Sequence, residues 1–180
     1  MKSGSIQMKT NGSNTSLKGI TIFLFSEKDY ARKMENIMLS TSSAFSRICY
    51  VSLNKPYSVI SESLKKQGID TKKFFFIDCT ENHADEKAGQ VVNVSSPKAL
   101  TEMSITIGKV LELGKIEAMV FDSLSTLLVY EDPSTVVKFT HSLISSLRGK
   151  KVSGVLVCLE GGKGTGLIKD ISMFADRVVR

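Results

Sequence analysis

The sequence predicts a three-layer α/β/α sandwich with a mainly parallel sheet, and two observations support this fold class. Short, continuous apolar runs alternate with amphipathic segments along most of the chain, as expected when parallel strands are buried on both faces and helices cover them. The 180 residues, of which 42% are hydrophobic, are enough for one domain with a substantial core. We therefore expect a single domain over residues 17–180, after a disordered polar tail over residues 1–16.

The strands are predicted where apolar residues run without interruption and a turn signal follows. The expected segments are Gly19–Phe25, Arg47–Leu53, Phe74–Asp78, Val91–Val94, Ala118–Asp122, Val152–Leu159 and Asp176–Val179. Alternation of such strands with helices favours parallel pairing through right-handed crossovers.

The helices between these strands are predicted from residues that favour helix termini. The start signals along the chain are Ser26 with Asp29, which resemble a capping box, then Pro56, Ser96-Pro97 and Asp132-Pro133. Gly68 and Gly149 are expected to end the second and fourth helices. A short last helix is predicted at about Gly166–Phe174.

The charge balance favours no particular class of partner. The formal charge is +6, from 24 basic and 18 acidic residues, but the lysines are scattered and no aromatic residues interleave with a basic stripe, as single-strand binding would require. A nucleic-acid-binding accessory role is an alternative that we do not favour. The chain has no apolar run of the roughly 18–20 residues that span a membrane, and its first residues hold no apolar signal core. We expect a cytoplasmic protein that does not bind membranes.

The cysteines and histidines carry no predicted chemistry. Cys49, Cys79 and Cys158 each lie at or near an apolar strand, so we expect buried free thiols in a reducing compartment. No short Cys or His spacing indicates a metal cluster. His83 lies in a polar loop and His141 beside an apolar helix stripe, and neither is expected to be catalytic.

One strand ends in an acid and is the best candidate for a metal site. Residues 116–125 read as a buried strand that ends in Asp122 and is followed by hydroxyl side chains. A carboxylate at the carboxyl end of a parallel strand points into the ligand crevice, where it could bind Mg²⁺. A lone carboxylate without phosphates holds Mg²⁺ weakly, so we expect Asp122 to hydrogen-bond Ser123, Ser125 or nearby backbone instead.

A glycine-rich stretch is the best phosphate-binding candidate by composition. It consists of Gly161, Gly162, Lys163, Gly164, Thr165 and Gly166. A glycine loop between a strand and a helix can form an anion nest, with a lysine and a threonine as further donors. Its spacing fits no complete phosphate-binding motif, so we favour a flexible loop over an anion site.

Four stretches of the chain together resemble one known family: Met119–Leu128, Val155–Leu159, Phe174-Ala-Asp-Arg-Val-Val and Tyr50-Val-Ser-Leu. The first is similar to a Walker B strand and the turn after it, and the second to the strand that follows. The third resembles the closing strand and the fourth an earlier one. The family that they resemble is the KaiC-like members of the RecA ATPase superfamily, a branch of the P-loop NTPase fold. The resemblance runs from about residue 17 to the end of the chain.

The resemblance implies a particular strand order. Gly19–Phe25 should be central, with Val152–Leu159 and Asp176–Val179 on its two sides. Ala118–Asp122 should lie beyond Val152–Leu159, followed by Arg47–Leu53.

Two catalytic features of the family have no counterpart in this sequence. The phosphate-loop pattern G-x-x-x-x-G-K-[ST] does not occur; residues 26–33 contain no glycine, and Glu27 and Asp29 place negative charge there instead. Asn54-Lys55 stands where the family has the glutamate that activates water. We therefore expect a degenerate domain, a pseudo-ATPase without a cofactor.

The expected role of such a domain is association with other proteins, either with itself as a homo-oligomer or with a related active ATPase. The alternative from another class is a nucleotide-binding ATPase with a non-standard phosphate loop. It would bind Mg-ATP through Gly161–Gly166 and Asp122.

Overall fold

The fold is a single parallel sheet with helices on both faces. A computed structural model describes residues 7–10, 13–81 and 90–180. Within these ranges the large sheet has seven strands. They are β3 (Ile20–Phe25), β4 (Ile48–Ser52), β5 (Phe74–Asp78), β6 (Val91–Asn93), β7 (Ala118–Asp122), β8 (Ser153–Leu159) and β9 (Arg177–Val179). The three-layer α/β/α prediction is confirmed.

The strand order is β6-β5-β4-β7-β8-β3-β9, with every pair parallel. The predicted neighbours are confirmed, since β8 and β9 flank β3, β7 lies beyond β8, and β4 follows β7. The middle place, however, belongs to Ala118–Asp122 and not to Gly19–Phe25. Three strands extend the sheet beyond β7, whereas β9 is the last strand beyond β3.

The helices form two layers. They are α1 (Tyr30–Ala44), α2 (Tyr57–Lys66), α3 (Leu100–Leu113), α4 (Leu124–Tyr130), α5 (Pro133–Gly149) and α6 (Gly162–Ile171). The side chains of α1 and α2 pack on one face of the sheet, against a cluster that includes Phe23, Tyr50 and Phe76. The other four helices pack on the opposite face, against residues such as Phe121 and Leu156. None of the described helices has the length and apolar character that a membrane crossing needs.

Local sequence signals explain the start of α5 and both ends of α2. The Asp132 carboxylate accepts hydrogen bonds from the Ser134 and Thr135 backbone N–H groups at the start of α5. Hydrogen bonds from Thr135 and Ser134 hold the pKa of Asp132 well below its usual range. Pro56 precedes α2, and Gly68 follows it with a φ of +71°, a conformation that glycine adopts without strain.

Other elements differ from the prediction. The segment expected to be a disordered tail contains two antiparallel strands, β1 (Gln7–Thr10) and β2 (Ser13–Ser16). The helix α4 has no predicted counterpart, because its seven residues follow the strand without a separating turn signal. The helix expected at Gly166–Phe174 instead begins at Gly162 and ends at Ile171. Buried Leu167, Ile168 and Ile171 anchor it to the core, so packing overrides the poor helix propensity of its glycines.

A candidate site at the carboxyl edge of the sheet

Asp122 occupies a fixed place at the carboxyl edge of the sheet. It is the last residue of β7 and pairs in register with Ser52 of β4, which in turn pairs with Asp78 of β5. Val120, two residues earlier, belongs to the cluster beneath α1 and α2. Because side chains alternate along a strand, Asp122 points to that same face. It is 1% exposed, and the peptide bond after it is cis.

Two tyrosines hold the Asp122 carboxylate. The phenol O–H of Tyr30 donates to Oδ2 over 2.6 Å, and that of Tyr50 donates to the same atom over 2.7 Å. The second oxygen, Oδ1, is buried and makes no hydrogen bond to any described residue. The expectation that Asp122 bonds Ser123, Ser125 or nearby backbone is therefore wrong. The carboxylate turns toward α1 and α2, whereas those hydroxyls bond one another.

Burial dominates the protonation of this cluster. Loss of solvation raises the pKa of Asp122, although the hydrogen bonds from the two tyrosines and the nearby Lys55 charge act in the opposite direction. Burial, together with the Asp122 charge, also raises the pKa of Tyr50 and of Tyr30 well above the usual range. Both phenols thus keep their protons and act as donors to the carboxylate.

The connection from β3 to α1 is a short, internally bonded turn. β3 ends at Phe25 and α1 begins at Tyr30. Ser26 Oγ accepts from the Asp29 N–H over 3.3 Å and donates to the Asp29 carboxylate over 2.9 Å. Asp29 also pairs with Arg32 at 2.9 Å, and this contact, followed by the Ser26 bond, lowers the pKa of Asp29.

The residue at the N-cap of α1 is Asp29, whose side chain makes no capping bond. The prediction that Ser26 caps the helix therefore needs correction, since Ser26 closes the turn that precedes it. The turn is a short strand-to-helix connection closed by Ser26 and Asp29.

A network of neutral hydroxyls lies beside Asp122. Ser123 Oγ is 2.9 Å from Thr126 Oγ1 and 3.2 Å from Ser125 Oγ. Thr126 Oγ1 donates to Asn54 Oδ1 over 2.7 Å, and Ser125 Oγ accepts from the Leu159 N–H over 2.9 Å. Asn54 is thus tied to the start of α4, at the place where the resemblance puts a catalytic glutamate.

The glycine-rich candidate is not a loop. Gly162 to Gly166 form the first turns of α6, and Gly161 precedes them with a φ of +112°. The side chains of Lys163 and Thr165 lie outside what the structure describes. The prediction of a flexible loop is therefore wrong, because these residues are helical. Anion binding by this segment stays a prediction.

The remaining candidates behave as structural residues. Cys49, Cys79 and Cys158 are buried free thiols, as predicted, and burial raises the pKa of Cys49 to about 12 and that of Cys158 to about 11. His141 is exposed, with its ring 4.6 Å from that of Phe174, and His83 falls outside the described residues. Over the described ranges, no group of three or more His, Cys, Asp or Glu residues could hold a metal ion.

A groove of about 170 Å³ runs between α1 and α2 and reaches Asp122. Tyr30 and Tyr50 line it where it meets the carboxylate, and Gln67 lines it near the end of α2. Gln67 Oε1 is also buried and makes no hydrogen bond within the described part of the chain. Two residues that line the groove thus each carry a buried acceptor atom without a donor in the described part of the chain.

The sequence analysis missed the two tyrosines. Tyr30 fits the apolar stripe of a helix and Tyr50 fits a buried strand, so both read as core residues. The available signal for Tyr30 was position, because it begins α1 at the edge where Asp122 was expected. Tyr50 is the middle residue of β4 and gives no such signal.

Comparison with known proteins places this geometry in a fold class. The chain is similar to the crystal structure of a KaiC-like protein from the hyperthermophilic archaeon Pyrococcus horikoshii OT3, with a TM-score of 0.62 and 14% sequence identity. The match covers 90% of this chain and 69% of that one. At this identity the likeness establishes the fold alone, which is the RecA-like fold of KaiC-type proteins.

The sequence itself identifies the family. Residues 31–180 match DUF7504, a family of unknown function, and the chain belongs to it. A search of curated proteins gives no match.

Proposed function

We propose that this protein is a catalytically inactive KaiC/RecA-like domain of the cytoplasm that works through protein association. Its partner is a second copy of itself or an active relative, and it uses neither ATP nor Mg²⁺. The observation that carries the proposal is the pair of phenol hydrogen bonds to Asp122 Oδ2, from Tyr30 and Tyr50.

The occupied oxygen argues against a magnesium site. Mg²⁺ demands near-octahedral oxygen ligands at about 2.0–2.1 Å and is usually held by carboxylates together with phosphates and water. Asp122 Oδ2 already accepts two hydrogen bonds, and Tyr30 belongs to the first turn of α1. Metal binding through that oxygen would require the start of α1 to move.

The turn before α1 argues against triphosphate binding. Phosphates bind at helix N-termini through free backbone N–H groups and a positive local potential. Here the Asp29 N–H already bonds Ser26, and the Glu27 and Asp29 carboxylates add negative charge. Asn54, which has no carboxylate to activate water, supports the same conclusion.

The association surface that we propose lies on α4. Val129 is 77% exposed and Tyr130 is 39% exposed at the end of α4, the helix that begins two residues after Asp122. Exposed apolar side chains suit a protein contact. RecA-type domains commonly assemble through faces of this kind.

Calorimetric titration with Mg-ATP and Mg-ADP, on protein of known oligomeric state, tests the absence of nucleotide binding. We expect no saturable heat from either ligand and no phosphate release from ATP. A micromolar Kd, equivalent to about −8 kcal/mol, would contradict the proposal. Phosphate release that vanishes in Asp122→Asn but persists in the exposed control Asp170→Asn would instead establish an ATPase with a non-standard loop.

Light scattering after size-exclusion chromatography tests association separately. We expect Val129→Asp to weaken self-association, because a charge would have to be buried in the contact. Leu113→Asp is the matched control, since Leu113 is 81% exposed but ends α3 at the opposite edge of the sheet. If the chain is monomeric alone, the same pair of variants applies to its complex with an active relative. Equal effects of the two substitutions would argue against the α4 surface.

A further inference from the structure

A second groove, which we call the α3 groove, lies between α3 and the outer strands β5 and β6. Its volume of about 500 Å³ falls within the range of roughly 300–1,000 Å³ that is typical of small-molecule sites. Phe75 of β5 lines it from the sheet and packs against the cluster beneath α3. Val91 of β6 packs against the opposite cluster, so alternation along the strand places Val92 beside Phe75 on the α3 face. Val110 and Leu113 line the groove from the helix.

The walls of the α3 groove present apolar surface that water can reach. Leu113 is 81% exposed and Val92 is 47% exposed, while Phe75 and Val110 are half-buried. Single exposed apolar residues need no explanation, but these four line one concave surface. An apolar ligand that fills the groove would remove their side chains from water, which favours binding.

Arg47, the residue before β4, is held at this groove in a fixed orientation. Its Nε donates to the Gly114 carbonyl over 2.6 Å, and its guanidinium carbon lies 5.2 Å from the centroid of the Phe75 ring. The side chain is otherwise exposed, and its Nη groups make no hydrogen bond to a described residue. A guanidinium presents its N–H groups as a planar fork that matches a carboxylate. Arg47 is therefore preorganised to bind an anion.

Lys109 supplies a second positive charge. It is an exposed residue of α3 that lines the groove. Over the described ranges, neither Lys109 nor Arg47 forms an ion pair. The described lining residues include no aspartate and no glutamate. The α3 groove thus combines apolar walls with two positive charges, which favours an anionic amphiphile over a neutral or cationic one.

We propose that the α3 groove binds a medium-chain fatty carboxylate. Its carboxylate contacts the Arg47 guanidinium, Lys109 adds to the positive potential, and the alkyl chain lies along Phe75, Val110 and Leu113. A volume of about 500 Å³ is the share of roughly 17 water molecules in the liquid, which leaves room for an alkyl chain of about eight to twelve carbons. This site goes beyond the proposed function and does not depend on it.

Calorimetric titration with hexanoate, octanoate and decanoate, at concentrations below micelle formation, tests this site. We expect saturable binding that tightens with chain length, because each added methylene group removes more apolar surface from water. Octanol and octylamine have the same chain length as octanoate but no negative charge, and they should bind at least about tenfold more weakly. Absence of saturable binding by all three carboxylates, or equal binding of octylamine, would overturn the proposal.

Two variants localise the binding. Arg47→Gln should weaken octanoate binding by about tenfold or more, since it removes the guanidinium that the carboxylate contacts, and Arg47→Lys should restore only part of the affinity. Thr106→Phe fills the groove from α3 and should abolish binding with Arg47 intact, so it still tests the site if Arg47→Gln does not fold. Thr101→Phe, on the same helix but outside this groove, should leave binding unchanged. Wild-type affinity in either Arg47→Gln or Thr106→Phe would place the ligand elsewhere.

A further arm separates a free fatty carboxylate from a segment of another protein. An acetylated Leu-Leu-Glu amide presents one carboxylate and apolar side chains on a peptide. Tighter binding of this peptide than of all three fatty carboxylates would overturn the assignment in favour of a partner protein. Mg-ATP binding would contradict the proposed function whatever the carboxylate result, and absence of carboxylate binding would contradict this inference alone.

Discussion

Asp78 and Asp122 end two strands that flank the same residue, and they are buried to the same degree. Each is 1% exposed, and each pairs in register with Ser52 of β4. Asp78 uses both oxygens: Oδ2 accepts from the Tyr57 N–H at the start of α2, and Oδ1 accepts from the N–H and hydroxyl of Thr80. Asp122 uses one oxygen for two phenols and leaves the other without a partner.

This difference separates a carboxylate whose two oxygens both bond to the protein from one with an oxygen that has no donor in the described structure. A buried carboxylate is tolerated when its lone pairs are satisfied, and Asp78 meets that condition through backbone groups of its own surroundings. Asp122 meets this condition at Oδ2 only, because Oδ1 has no donor among the described residues. Equal burial at equal positions in the sheet therefore says little about role, whereas the set of donors says a great deal.

The largest expected effect is that of Asp78→Asn. The amide nitrogen would face the Tyr57 N–H or the Thr80 donors, so a donor would oppose a donor in a buried place. We expect a loss of roughly 2–4 kcal/mol in the free energy of unfolding, measured by urea denaturation. The exposed Asp170→Asn is the control, and a loss no larger than in that variant would remove the distinction between the two acids.

Removal of one phenol donor should have the next largest effect. Tyr50→Phe deletes a buried hydrogen bond to a carboxylate, a bond of the kind that contributes about 1.5–3 kcal/mol. Tyr30→Phe should cost less, because Tyr30 is less deeply buried. Tyr57→Phe is the matched control on the same face. If all three variants unfold at the same urea concentration, the phenols do not stabilise Asp122.

Asp122→Asn should change stability less than Asp78→Asn or Tyr50→Phe. Its amide oxygen can accept both phenols, and its NH₂ group replaces an oxygen that has no partner in the described structure. We expect a change in the free energy of unfolding within about 1 kcal/mol. A loss as large as that of Asp78→Asn would indicate that Oδ1 has an essential partner.

The difference in stability between wild type and Asp122→Asn should change with pH in a definite direction. Burial raises the pKa of Asp122 above the value of 3.8 that applies to an unperturbed aspartate. As the pH rises, Asp122 therefore keeps its proton to a higher pH in the native state than in the unfolded state. The stability associated with protonated Asp122 is present below that value and is lost as the pH rises through the native pKa. Asp122→Asn lacks this loss, so its stability relative to wild type should increase with pH over this window. Paired urea titrations from acid to neutral pH measure it, and a relative stability that falls as the pH rises would reverse the sign.

Sequence patterns predicted the sheet better than the site. The apolar runs located every strand of the sheet, because a strand that is buried on both faces consists of consecutive apolar residues. The resemblance gave the order of β3, β4, β7, β8 and β9. The start of α6 at Gly162 was missed, since the core contacts of Leu167 and Ile171 outweigh local propensity. The bonds from Tyr30 and Tyr50 to Asp122 join residues 92 and 72 positions apart, and no local pattern encodes such a contact.

The junction between the two ends of the domain has a consequence for its solution behaviour. Asp176 Oδ2 accepts from the Ile20 N–H over 2.7 Å, while its own N–H donates to the Ile20 carbonyl over 2.9 Å. These bonds fix β9 along the outer side of β3, whose six residues are all buried. If β9 were detached, an apolar strand with a free row of N–H and C=O groups would be open to other chains. The short strand β9, Arg177–Val179, thus covers Thr21, Ile22 and Phe23 of β3 and leaves a three-residue edge in place of a six-residue one.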